Sequence, residues 1–185
     1  MRVVLIISVV LVVVFLFMVA YLYVNQRNMI YYPQSLDRGW QHVIENEKNE
    51  IEFQRDGTRL KGWLLHPEKS ELLIYYGGNG EEVSYNIEDF KQLGSHAILL
   101  MNFRGYGESE GKPTEVDMVA DALTIFDEMR DKYSSIVLMG RSLGSGIAVQ
   151  VASKREMKRL ILVTPYDSIV AVGQAYYPWA PIPLL

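Results

Sequence analysis

Ile136-Val137-Leu138-Met139-Gly140-Arg141-Ser142-Leu143-Gly144 joins four apolar residues to a G-x-S-x-G turn, and Leu143 to Lys154 continues with helical spacing. A strand turning sharply into a helix pushes the central serine into a strained backbone region. It also brings strand and helix so close that only small residues fit two before and two after the serine. Gly140 and Gly144 meet that demand, and Gly146 and Ala148 extend the small face into the helix. Ser142 then stands exposed at a helix N-terminus, where backbone N–H groups favour negative charge. The plainer reading is a glycine-rich strand-to-helix turn, phosphate-binding turns included. A P-loop, however, needs a lysine before the Ser/Thr and a wider glycine spacing, and neither is present.

Outward from this turn the chain alternates strands and helices. Ile51-Glu52-Phe53-Gln54 and Leu60 to Leu65, joined at Asp56-Gly57, predict an antiparallel hairpin that Pro67 ends. Leu72 to Tyr76, His96 to Phe103, Ile136 to Met139 and Leu160 to Val163 are short continuous apolar runs, as expected of strands buried on both faces. Helices are expected over Val83 to Leu93 and Leu143 to Lys154. A third follows a Thr114 cap, with Val116, Val119, Leu123 and Phe126 on its core face and Asp117 completing a shortened capping box. Strands alternating with helices after a hairpin imply an α/β fold, a mostly parallel sheet with antiparallel strands at its start. Chemistry in such sheets collects beyond the carboxyl ends of the strands.

Two further glycine-rich loops fall at those ends. One is Tyr75-Tyr76-Gly77-Gly78-Asn79-Gly80-Glu81-Glu82, the other Asn102-Phe103-Arg104-Gly105-Tyr106-Gly107-Glu108-Ser109-Glu110-Gly111. Acyl transfer by a serine needs two backbone donors aimed at the developing oxyanion, usually the residue after the nucleophile and one from the first of these loops. Leu143 N–H and Asn79 N–H are the candidates; the bland alternative for the first loop is a flexible glycine turn. A dinucleotide fingerprint fails there, because Val83 stands where the third glycine belongs.

Taken together, the hairpin, the Gly78-Asn79-Gly80 loop, the R-G-x-G-x-S loop from Arg104 to Ser109 and the elbow at Ser142 resemble the α/β-hydrolase superfamily. The resemblance is to its membrane-anchored members of esterase-like or serine-aminopeptidase-like type, and it runs from about Ile51 to the C-terminus. It implies Ser142 as nucleophile, no metal and no cofactor, and a small-molecule or lipid-like acyl substrate. One departure is Gly77, where many members carry histidine.

A serine is a poor nucleophile without a base, and the family order is Ser, then Asp or Glu, then His. The three histidines, His42, His66 and His96, all precede Ser142. They read as linker, strand-end and strand-start residues. Asp167 follows the strand Leu160–Val163, a position that serves as triad acid in some members, whereas a later strand is the commoner source. The resemblance therefore implies an incomplete α/β-hydrolase sheet, a C-terminal truncation in which triad acid and histidine are absent. Leu160–Val163 is then expected as an apolar edge strand prone to aggregation.

The N-terminus is of another kind. Val3 to Val24 carries no charge, 17 of its 22 residues are Val, Leu, Ile or Phe, and every acidic residue lies at or beyond Asp37. At about 1.5 Å per residue such a helix is roughly 33 Å long, enough to cross a hydrocarbon core of about 30 Å. No A-x-A-like cleavage site follows, and Tyr21, Tyr23, Tyr31 and Tyr32 fit an interfacial aromatic belt. The expectation is a single-pass anchor over residues 3–24, a polar membrane-proximal linker over 25–49 that packs an aromatic or two on the domain, and the hydrolase domain over 50–185. A slight excess of positive charge at the N-terminal flank favours an extracytoplasmic domain. Beyond the anchor 17 Lys and Arg face 22 Asp and Glu, which argues against a nucleic-acid partner, and the absence of cysteine suits either compartment.

Two functions compete on the sequence. One is a membrane-anchored serine hydrolase of esters, thioesters or amides, strongly impaired in this chain for want of acid and base. The other is a non-catalytic remnant or binding module that keeps the fold.

Overall fold

The computed structural model describes residues 1–37, 39–40 and 49–184, so His42 lies outside the described residues. The chain forms two compact units, Met1–Tyr31 with Asp167–Leu185, and Tyr32–Tyr166.

In the larger unit the strands are β1 (Glu50–Arg55), β2 (Thr58–Leu65), β3 (Glu71–Tyr76), β4 (Ala97–Met101), β5 (Ser135–Arg141) and β6 (Arg159–Val163). They make one sheet in the order β1-β2-β4-β3-β5-β6. β1 and β2 pair antiparallel with Arg55 opposite Thr58, β2 and β4 also pair antiparallel, and all later pairs are parallel. The two-residue turn places both Asp56 (φ 50°) and Gly57 (φ 76°) in the left-handed region, the twist that a tight hairpin requires. Every residue of β4 and five of the six in β3 are buried, which explains why these strands are written as unbroken apolar runs. β6 forms one edge of this sheet, with Leu162 38% exposed.

One face of the sheet presents Trp63, Leu65, Leu73, Tyr75, Ile98, Leu100 and Val137 to Val83, Ile87 and Phe90. These last three belong to a 3-10 turn, Val83–Asn86, and a short helix α2, Ile87–Lys91. The single helix expected over Val83 to Leu93 is thus two short pieces. Linker residues Leu36 and Trp40 pack on the same cluster, and Trp40 meets Tyr85 edge-on at 5.5 Å.

The other helices of this unit are α3 (Glu115–Arg130) and α4 (Leu143–Ala152). The Thr114 hydroxyl oxygen accepts from Asp117 N–H at 3.1 Å, the cap expected, while the Asp117 carboxylate takes the Thr114 hydroxyl at 2.7 Å rather than the backbone N–H of a capping box. The buried apolar face of α3 is Met118, Val119, Ala122, Ile125, Phe126 and Met129, so Val119 and Phe126 of the expected stripe are buried and Val116 and Leu123 are not. Val116 is 80% exposed and Leu123 half-buried. Two stripes offset by a few residues have the same period, and only the neighbouring strands decide between them.

In the smaller unit, helix α1 (Arg2–Ile30) is long and apolar enough to cross a membrane, and it continues six residues past Val24. With it are α5 (Ile169–Tyr176), capped by the Ser168 hydroxyl accepting from Ala171 N–H, and a 3-10 turn, Ile182–Leu184.

Candidate active site

β3 and β5 are adjacent parallel strands with Tyr76 opposite Gly140. The loops leaving their carboxyl ends therefore start side by side. Ser142 follows β5 with φ 48° and ψ −117°, a strained conformation for a non-glycine residue. Its N–H donates to Val163 O at 2.9 Å, so the end of β6 holds the elbow from the far side. Its carbonyl accepts from Ser145 N–H at 2.8 Å and Ser145 Oγ at 2.6 Å. A Cβ on Gly140 would collide with the Gly144 carbonyl, and one on Gly144 with the carbonyls of Tyr76 and Gly77. The two glycines of the G-x-S-x-G turn are thus dictated by strand–helix contact.

The loop after β3 passes directly over the serine: a Cβ placed on Gly78 would lie 3.8 Å from Ser142 Cβ. Gly78, Asn79, Gly80, Glu81, Glu82, Tyr85, Asn86, Arg141, Ser142 and Thr164 line an open cleft of about 440 Å³. Leu143 opens α4, and no side chain caps that helix. Among the described residues neither Leu143 N–H nor Asn79 N–H has an acceptor.

Three devices fix this loop, none of them visible as a sequence motif. Glu81 turns back on it: its carboxylate accepts from Gly78 N–H, Tyr75 OH and Asn86 Nδ2, each at 2.7 Å, and faces Arg141 at 3.6 Å. Burial, and then the hydrogen bond to Glu81, push the Tyr75 phenol well above its ordinary pKa, so Tyr75 stays a donor at neutral pH. The Tyr32 N–H is shared between Asn79 Oδ1 at 3.0 Å and Tyr106 OH at 3.2 Å, and that hydroxyl donates to the same Asn79 oxygen at 3.1 Å. Gly107 N–H donates to Gln34 O at 2.7 Å, and Asp37 N–H to Tyr85 OH at 3.0 Å, so the linker straps down both loops. Buried Glu82 accepts from Asn102 Nδ2 at 2.6 Å and from the Ser84 hydroxyl, joining the loops after β3 and β4.

The R-G-x-G-x-S loop is a structural bracket. Arg104 is buried and grips Asp121 of α3 in a fork at 2.7 and 2.6 Å, and Asp121 raises the guanidinium above its ordinary pKa. Arg55 reaches the same Asp121 at 2.7 Å and Asp117 at 2.9 Å. Ser109 Oγ accepts from Lys61 N–H at 2.9 Å, docking the loop on β2.

Ser142, Leu143 and the Asn79 loop are brought together; the described histidines are not. His66 Nε2 donates to Lys91 O at 3.0 Å, and His96 pairs with Ser95 at 2.8 Å and Glu71 at 3.5 Å. Both lie at the amino ends of β3 and β4, opposite Ser142. Asp167 belongs to the smaller unit and is exposed.

A mixed sheet whose parallel part ends in a strained G-x-S-x-G elbow beneath a glycine loop defines the α/β-hydrolase class. Within it, the chain belongs to the family described as "Serine aminopeptidase, S33", whose sequence model matches residues 72–180. It is 30% identical to the uncharacterized protein Rv2307c of Mycobacterium tuberculosis, over 89% of this chain and 62% of that one. It is 29% identical to the uncharacterized membrane protein YNL320W of Saccharomyces cerevisiae, over 74% of this chain and 52% of that one. Among solved structures, an α/β hydrolase from Vibrio vulnificus superposes with a TM-score of 0.63 at 25% identity, covering 76% of this chain and 55% of that one. The chain thus spans about three-fifths of the length of the first of these relatives and less of the other two.

Proposed function

We propose that the protein is a membrane-anchored serine hydrolase of esters, thioesters or amides that works through an acyl-enzyme. Ser142 Oγ attacks the substrate carbonyl carbon and passes its proton to a base. The carbonyl π pair moves onto oxygen, where Asn79 N–H and Leu143 N–H receive the charge, and collapse of the tetrahedral intermediate expels the alcohol, thiol or amine. Water then attacks the acyl-enzyme by the same route and frees Ser142. The observation that carries this reading is the left-handed Ser142 backbone at the head of α4, with two acceptor-free N–H groups beside it.

Neither described histidine stands near Ser142, so this reading needs a base from outside the described residues, and an acid from there or, less favourably, from Asp167. A serine of this kind that lacks its base keeps only oxyanion-hole and binding effects, on the order of a 10⁶-fold loss of turnover. The family description supports the reaction class, and α1 with the YNL320W likeness supports the anchor. The charge at the N-terminal flank favours an extracytoplasmic domain.

A fluorophosphonate probe tests this reading. Labelling of a longer form spanning the full length of the relatives, abolished by Ser142→Ala, is expected, with faint labelling of residues 1–185. Equal labelling of wild type and Ser142→Ala in both forms rejects the assignment. The second reading, a binding module, is favoured by the position of the histidines. It predicts that a ligand occupies the 440 Å³ cleft while the longer form stays unlabelled.

A further inference from the structure

From Ser168 to Leu185 the chain carries no charged side chain and no histidine, 18 residues in a protein otherwise rich in both signs. We infer that this segment is a second membrane-inserted element, lying in the hydrocarbon beside α1; the inference rests on the reading of α1 as a membrane helix.

The contacts within the smaller unit set the depth. Leu22, Gln26, Met29 and Ile30 of α1 share an apolar groove with Ile169, Val170, Gly173, Tyr177 and Ile182. Further along, Trp179 meets Phe15 edge-on, ring centres 6.4 Å apart. Phe15 stands about 2 Å along the helix axis from the middle of Val3–Val24. A segment that touches α1 at Ile30 and again at Phe15 follows it from its end to its centre, so wherever α1 crosses a bilayer the segment goes in with it.

The side chains it leaves open suit lipid. Val170 is 46% exposed, Val172 38% and Trp179 44%, and no residue of α5 is buried. The backbone suits it too. Irregular chain in hydrocarbon is costly because each open N–H and C=O lacks water. Of the eight residues Tyr177–Leu184, Pro178, Pro181 and Pro183 have no N–H. Tyr177, Ala180 and Ile182 donate theirs to Gly173, Tyr177 and Ala180 carbonyls at 2.8 to 3.0 Å. The Gln174 amide spends its hydrogens on the carbonyls of Tyr177 at 3.4 Å and Pro178 at 3.1 Å. Three of the five N–H groups in this stretch thus have acceptors inside the segment, which lowers the cost of placing it in hydrocarbon.

The test uses the 185-residue chain in phosphatidylcholine liposomes whose acyl chains carry bromine near mid-depth. Tryptophan emission is expected to fall, and roughly half or more of that fall to vanish in Trp179→Phe, because Trp63 is fully buried. As the chain has no cysteine, Val172→Cys and Lys154→Cys provide a second readout with a membrane-impermeant maleimide. Position 172 should resist labelling while 154 reacts. Quenching unchanged by Trp179→Phe, or equal labelling at both positions, overturns the inference. So does protection at 172 without quenching, which would mean that protein covers the segment. A fluorophore on Val13→Cys separates the two ideas: if bromolipid leaves it unquenched, the membrane reading of α1 falls as well.

Discussion

The backbone N–H of Tyr32 donates to the side-chain oxygen of Asn79 over 3.0 Å, tying linker to cleft loop. Asn79→Ala leaves that N–H and the Tyr106 hydroxyl without their shared acceptor. The expected cost is about 1 kcal/mol of stability, with faster hydrogen exchange confined to Gly78–Gly80 and Tyr32. Exchange that does not change in those residues would show that the strap does not hold the loop.

Tyr76 should respond in the opposite direction. Its hydroxyl is fully buried with no hydrogen-bond partner among the described residues, and burial drives its pKa above the ordinary phenol value. Tyr76→Phe removes an unsatisfied polar atom and keeps the ring, so stability should rise, by about 1 kcal/mol. A urea midpoint below that of wild type contradicts this.

Two glycines form a matched pair for thermal melts. Gly144→Ala drives a methyl into the Tyr76 and Gly77 carbonyls and is expected to cost about 3 kcal/mol or to prevent folding. Gly94→Ala meets open space and should melt within a degree or two of wild type. Equal melts for the two variants would mean that the strand–helix approach is looser than described.

Acid stability should depend on Asp127. The Arg155 fork, bonded at 2.7 Å to each carboxylate oxygen, holds that carboxyl below its ordinary pKa. A depressed carboxylate stabilises the fold above the unfolded-state pKa of about 3.9 and loses that contribution as pH falls through its folded value. Arg155→Gln should therefore melt lower than wild type at pH 7, with the gap closing below about pH 4. A gap constant across that range would assign the effect of Arg155 to packing.

Local pattern made much of the fold legible. The unbroken apolar runs marked β3 and β4, Asp56-Gly57 the hairpin, and Gly140-Arg141-Ser142-Leu143-Gly144 the elbow, because each leaves a pattern in consecutive residues even where, as at Gly144, the contact that demands it is distant. Glu81 as the clasp of the cleft loop, and Tyr32 and Gln34 as its strap, were not legible. Their partners lie far off in sequence or in loops without periodicity, and a glutamate beside a glycine loop looks like any surface glutamate. The face of α3 was half legible for a related reason: Val119 and Phe126 are buried as expected, but Val116 and Met118 fit helical stripes equally well until β1 and its arginine select one.

The pairing of Tyr76 with Gly140 makes the sheet a ruler for the half-site. The loop and the elbow inherit one interstrand spacing, about 4.8 Å, and a slip of a single residue would turn the end of the slipped strand to the wrong face. A variant that keeps the β3–β5 ladder in register therefore keeps the starting points of the loop and the elbow side by side, whatever happens further along either one.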